Sequence, residues 1–231
     1  MAPYLAVDRT APRHECWVVG HMVAGLDGTA RFDGRVGALS TDADQTLFRR
    51  MRQIADVVLV GAETVRSERY GPVRLSDADQ DARIQRGQAA IPPLAVVSRR
   101  LDFDWSAAVF ADVVTPTIVI TCEGSDPALR REAAQVAEVI IAGDERVEPA
   151  QALAALAERG YGVVLCEGGP HWLGDLVAAD RLDELCLSIS PKMGGDALPV
   201  SVAPPGHPLV DFALRSAMVE EGTLFLRYER P

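Results

Sequence analysis

Apolar and polar positions alternate along the chain in blocks that separate strands from helices. Eight short runs rich in Val, Ile and Leu read as buried strands: Trp17–Val23, Val57–Val60, Leu94–Ser98, Thr117–Thr121, Glu138–Ala142, Val163–Glu167, Glu184–Ser190 and Thr223–Tyr228. Helical spacing lies between several of them. Leu47, Phe48, Met51 and Ile54 form one stripe, after a cap expected at Ser40 or Thr41. Leu129, Ala133 and Val136 form a second. Leu153, Leu156 and Ala157 form a third, opened by Pro149 and closed by Gly160. Trp172, Leu173, Leu176 and Val177 form a fourth. This alternation predicts an α/β fold around a mixed, mostly parallel sheet flanked by helices. The last two strands lack a helix between them. The Pro/Gly-rich stretch 194–207 suits a long loop, so an antiparallel edge is expected there. No repeat or composition break divides residues 1–231, which read as one domain with a flexible tail over 1–14. Ser76–Gly87 reads as a mobile insertion.

Composition narrows the function classes. The formal net charge of −10 over 231 residues argues against nucleic acid as a partner, because such a surface must neutralise phosphates. No run approaches the roughly 18 apolar residues of a membrane span, and the N-terminus lacks the pattern of a secretory signal. Cys16, Cys122, Cys166 and Cys186 are far apart and read as buried thiols of a cytoplasmic protein. The four His form no metal-binding spacing, so no metal is expected. Of the 23 basic residues, Lys192 is the one Lys and the rest are Arg. That skew reads mostly as a coding bias.

Candidate chemistry lies at strand ends. Gly61-Ala-Glu-Thr64-Val-Arg66 follows a strand, and a helix start there favours an anion through its free N–H groups. Glu167-Gly168-Gly169-Pro170-His171-Trp172-Leu173-Gly174 repeats the arrangement, with two Gly that permit close backbone approach. Two such lips in one domain suit a pyrophosphate, although neither is a GxGxxG or a Walker motif. Ser98-Arg99-Arg100 ends a third strand and could grip a phosphate such as the 2′-phosphate of NADP. Arg66, Arg69 and Arg74, with Arg49, Arg50 and Arg52 on the preceding helix, form a basic cluster. Gly25-Leu26-Asp27-Gly28 reads as a turn. No local motif names an acid/base pair.

Four ordered segments carry a family resemblance: Met22-Val-Ala-Gly-Leu-Asp-Gly28; Ala55-Asp-Val-Val-Leu-Val-Gly-Ala-Glu-Thr-Val-Arg66; Val163-Val-Leu-Cys-Glu-Gly-Gly-Pro-His-Trp-Leu173; and Asp183-Glu-Leu-Cys-Leu-Ser-Ile-Ser-Pro-Lys-Met-Gly-Gly195. Together they resemble the reductase domain of the bifunctional riboflavin-biosynthesis deaminase/reductase, a relative of dihydrofolate reductase. The resemblance implies a dihydrofolate-reductase-like fold, a homodimer, and NADPH-dependent reduction of the ribose of a phosphoribosylamino-pyrimidine. It implies cofactor contacts at Ala38, made largely by backbone, and at Thr64, Glu68, Ser98 and the loop Gly169–Asp175. Arg99 and Arg100 would join these as the 2′-phosphate grip. The pair Gly168–Gly169 would be joined by a cis peptide. Arg52, Arg74 and Glu167 match substrate-side positions. Asp44, one turn before Phe48, resembles the acidic residue of dihydrofolate reductases, and Lys192 would face the active site. The sequence departs from the family's usual pattern at Gly25, at Val36 and over Glu68-Arg69-Tyr70-Gly71-Pro72, and has no zinc deaminase half. These departures lie on the substrate side. A dihydrofolate or pterin reductase is therefore an alternative, as is a non-catalytic dinucleotide- or flavin-binding protein.

Overall fold

The computed structural model describes residues 2–231. Its centre is a nine-stranded sheet in the order β5-β4-β3-β2-β6-β1-β7-β9-β8. These strands are β1 (Trp17–Ala24), β2 (Val57–Gly61), β3 (Leu94–Val97), β4 (Ile118–Thr121), β5 (Glu138–Ile141), β6 (Val163–Cys166), β7 (Glu184–Ile189), β8 (Ala213–Glu220) and β9 (Thr223–Glu229). Strands β1 to β7 pair in parallel. The β7–β9 and β8–β9 pairs are antiparallel. The expected mixed sheet with an antiparallel edge is what forms.

The helices are α1 (Ala2–Leu5), α2 (Asp42–Ile54), α3 (Ala62–Ser67), α4 (Asp77–Gln85), α5 (Ala108–Ala111), α6 (Pro127–Ala133), α7 (Pro149–Ala157) and α8 (Pro170–Ala178). Two apolar clusters cover the two faces of the sheet. One gathers Val18, Leu59, Leu153 and Leu176; the other gathers Val19, Leu47, Met51 and Val58. Val57, Val58, Leu59 and Val60 are all fully buried, as expected of a central strand covered on both faces. Each such side chain contributes roughly 1.5–3 kcal/mol of burial. Thr41 caps α2, its hydroxyl accepting from the Asp44 N–H at 3.3 Å.

Three expectations fail. Residues 76–87 are not a loop. Ser76 caps α4, and the fully buried Arg83 donates from α4 to the carbonyls of Gln53 and Ala55 at 2.9 and 2.7 Å. Those carbonyls lie at the end of α2, where no intrahelical donor remains for them. The N-terminal segment is also packed. Tyr4 is fully buried, and Arg9 makes a bidentate ion pair with the buried Glu184 at 2.9 and 2.7 Å. Finally, β8 is an unforeseen edge strand. Its Leu214 and Val219 stay exposed, so its sequence lacks the dense apolar run that marks a central strand.

Candidate active site

The C-terminal ends of β2, β3 and β6 open, with α2 and α3, onto one cavity of about 930 Å³. In open parallel sheets this is where ligands bind. The cavity has two chemically distinct halves.

The first half is built from closely approaching backbone. The Gly61 N–H donates to the Gly168 carbonyl at 3.0 Å, and the Gly169 N–H donates to Thr64 Oγ1 at 3.1 Å. Gly168 and Gly169 have φ of 108° and 24°, values that only Gly adopts without strain. A Cβ at Gly169 would stand 3.4 Å from Thr64 Oγ1. The expected cis peptide is absent: no cis bond occurs among the described residues, because the two positive φ values turn the chain by themselves. Pro170 opens α8, which leaves the first-turn N–H groups of His171 and Trp172 at the cavity wall. Ser98 is buried, and its hydroxyl accepts from the Leu101 N–H at 3.0 Å, so it shapes the turn that carries Arg99 and Arg100. Both arginines line the cavity and are exposed. Arg99 only approaches Glu145, at 3.8 Å, and Arg100 has no ion-pair partner among the described residues.

The second half is a buried polar floor. Glu167 holds Arg52 in a bidentate pair at 2.6 and 2.7 Å, and the Tyr70 hydroxyl donates to the same carboxylate at 3.0 Å. The Arg52 guanidinium lies 4.3 Å from the centre of the Phe48 ring. Burial opposes the Arg52 charge, but Glu167 more than offsets this and raises its pKa. Burial, with Glu167 beside it, pushes the Tyr70 phenol well above its usual range. The trio is therefore a fixed wall with Tyr70 neutral. Beside it, Asp44 accepts from the Ser40 hydroxyl at 2.5 Å and faces His21 across 4.0 Å. Burial lowers the pKa of His21, while Asp44 opposes that shift.

The structure thus brings together Asp44, Arg52, Thr64, Glu68, Ser98, Arg99, Arg100, Glu167, Gly168, Gly169, Pro170, His171 and Trp172. Four expected residues lie elsewhere. Arg74 is exposed and pairs with Asp112 at 2.9 Å, because the chain after Pro72 runs away from the cavity. Leu173 is buried in the core, close to Gly20, since it sits on the inner face of α8. The Lys192 ammonium does not reach the cavity; it donates to the Ala38 carbonyl. Ala38 is accordingly engaged outside the cavity, where Val36 and Gly37 provide the lining. Glu68 has a positioning role, accepting from the Val36 N–H at 2.8 Å. Sequence reasoning missed His21, Ser40, Phe48 and Tyr70 as site residues. His21 is a lone His in an apolar strand, and Phe48 reads as an ordinary core position. Tyr70 was visible only as a departure from the family pattern.

The fold is dihydrofolate-reductase-like. Dihydrofolate reductase from Enterococcus faecalis superposes with a TM-score of 0.52 at 12% identity, covering 94% of this chain and 98% of that one. A pyrimidine reductase-like protein from Corynebacterium diphtheriae superposes with a TM-score of 0.85 at 25% identity, covering 98% of both chains. Residues 16–221 match the family described as the RibD C-terminal domain, and the chain belongs to that family. It is a reductase. Two relatives carry the name 2,5-diamino-6-ribosylamino-4(3H)-pyrimidinone 5′-phosphate reductase. The one from Archaeoglobus fulgidus is 26% identical over 76% of this chain and 80% of its own. The one from Aquifex aeolicus is 28% identical over 80% and 83%.

Proposed function

We propose that this chain is an NADPH-dependent reductase that acts on a phosphoribosylamino-pyrimidine of riboflavin biosynthesis. The observation that carries this reading is the division of one cavity into a glycine-lipped half and a buried polar floor. The first half fits a dinucleotide. Gly168 and Gly169 take positive φ values that only Gly adopts without strain, and Thr64 braces their turn. Arg99 and Arg100 would hold the 2′-phosphate, because both lack a strong internal partner. The dinucleotide supplies a hydride when bound. The chain's own residues orient the substrate and exclude water: Phe48 and the Arg52–Glu167–Tyr70 wall fix one side, and Asp44 offers a carboxylate to a protonated group. Asp44 is the acid most directly placed to handle a proton at the substrate.

The nearness of the named relatives favours a pyrimidine over a folate. The four buried thiols suit a cytoplasmic enzyme, and no helix among the described residues is long and apolar enough to cross a membrane. We further propose a homodimer that covers Leu214 and Val219 on the β8 edge, which are 53% and 72% exposed. Initial rates with NADPH and NADH test the reading, using the diaminopyrimidinone phosphate, its deaminated counterpart and dihydrofolate as substrates. Turnover of either pyrimidine with a preference for NADPH is expected. Turnover of dihydrofolate alone would replace it with the pterin alternative, and no turnover of any substrate would favour a binding protein.

A further inference from the structure

One wall of the cavity is carried by the opening turns of α2, yet those turns are held from outside the cavity. Ser40, Asp44, Gln45 and Phe48 all line it. The local support for Asp44 is slight. Its N–H donates to Thr41 Oγ1 at 3.3 Å, a long bond, and its carboxylate accepts from Ser40. The first turn of a helix leaves N–H groups that need acceptors from elsewhere. The N–H beside Asp44 finds one far along the chain: Ala43 donates to Glu221 Oε2 at 3.0 Å, across 178 positions. The cap is tied to the same hairpin, since Thr41 Oγ1 lies 3.1 Å from Thr223 Oγ1. Ala43 and Thr223 are both buried, so water is a poor substitute for either contact.

Glu221 and Gly222 form the two-residue turn between β8 and β9, where Glu220 pairs with Thr223. Their φ values are 51° and 73°. Such turns favour Asn, Asp or Gly at the first position, and a Glu there is held against its backbone preference. Asn and Asp suit the turn better but have one methylene fewer with which to reach Ala43. The residue present sacrifices turn preference for reach, and it sets a negative charge at the start of α2, where the helix dipole favours one. The hairpin also abuts a second frame of the site. A Cβ on Gly222 would stand 3.5 Å from the Pro191 ring, and the next residue, Lys192, holds the Ala38 carbonyl. Glu221 itself does not line the cavity.

We propose that Glu221 is a positioning residue for the reaction: its carboxylate clamps the opening turn of α2 and so fixes Asp44 at the cavity wall. The inference rests on the reductase reading for its turnover readout alone. The test compares Glu221→Asn and Glu221→Gln with wild type, using the full chain. Glu221→Asn gives the turn its favoured Asn-Gly pair and removes the reach, so turn stability and clamp are separated. Glu221→Gln keeps both reach and acceptor. The readouts are amide hydrogen exchange by NMR, thermal denaturation, and initial rates with NADPH and the phosphoribosylamino-pyrimidine. In Glu221→Asn, exchange at Ala43 and Asp44 should rise about tenfold, while Met51 in α2 and Leu173 in α8 stay unchanged. Its kcat should fall about tenfold, with KM for NADPH within about twofold. Its Tm should stay within about 3 °C of wild type, because the better turn offsets the lost clamp. Glu221→Gln should match wild type in all three readouts. Unchanged exchange at Ala43 and Asp44 in Glu221→Asn would overturn the proposal, as would faster exchange there with kcat unaltered. A loss of protection throughout the chain with weakened NADPH binding would overturn it too, since that is the mark of a general stabiliser. Absence of turnover by wild type would overturn the reductase reading instead, and exchange would still decide whether Glu221 holds Asp44.

Discussion

Glu167→Gln removes the charge that Arg52 depends on. The Glu167 side chain is fully buried and that of Arg52 is 15% exposed, so little water can replace the lost carboxylate. The amide keeps one acceptor for Arg52 or Tyr70 but cannot match the bidentate geometry of 2.6 and 2.7 Å. Removing one partner of a buried pair costs about 3–5 kcal/mol, chiefly because a buried charge is left uncompensated. For a chain of this size each kcal/mol lowers Tm by about 2–4 °C, so a fall of roughly 10 °C is expected. The assay is thermal denaturation by circular dichroism, run beside Arg52→Met and the double variant. The double variant should be more stable than Glu167→Gln alone, because it removes the orphaned cation. Turnover should drop in all three, since the wall that positions substrate is gone. A loss below about 1 kcal/mol in Glu167→Gln would refute the reasoning and mean that water reaches Arg52.

Three further outcomes follow from the same geometry. Thr64→Val deletes the acceptor of the Gly169 N–H at the price of about 1 kcal/mol, and should weaken NADPH binding about tenfold in a fluorescence titration while leaving substrate KM within twofold. His21 has a lowered folded pKa, so below its unfolded value of 6.5 the unfolded chain binds the extra proton and the folded chain resists it. Stability should therefore fall as pH drops from 7 to 5 in urea titrations, and His21→Phe should flatten that slope; an unchanged slope would count against a neutral buried imidazole. Lys192→Met releases the carbonyl of Ala38 and should raise KM several-fold with kcat nearly kept, whereas Lys192→Arg should behave as wild type; a large loss of kcat would restore a direct catalytic role for this residue.

The sheet was legible in the sequence because central parallel strands are buried on both faces and become continuous apolar runs. Val57–Val60 and Val163–Cys166 are the clearest cases. Strand β8 was illegible for the converse reason, since one of its faces meets solvent. The segment 76–87 looked like a loop because α4 buries its one critical contact through a charged residue, Arg83. The glycine-lipped half of the site was readable from local motifs, because the positive φ values at Gly168 and Gly169 demand Gly at fixed positions. The polar floor was not. It joins His21 on β1, Asp44 and Arg52 on α2, Tyr70 after α3 and Glu167 after β6, and only the fold makes them neighbours. Arg74 shows the reverse error: its sequence lies close to the site, but the chain carries it outward to Asp112.

The most direct test of the central claim follows the hydride itself. The chain is incubated with NADPH deuterated at the nicotinamide C4, one face at a time, and with the phosphoribosylamino-pyrimidine, and the product is analysed by mass spectrometry and NMR. Transfer of one deuterium from a single face to the first carbon of a new ribityl chain is the predicted result. Unlabelled product, or oxidation of NADPH with the ribose unchanged, would contradict it.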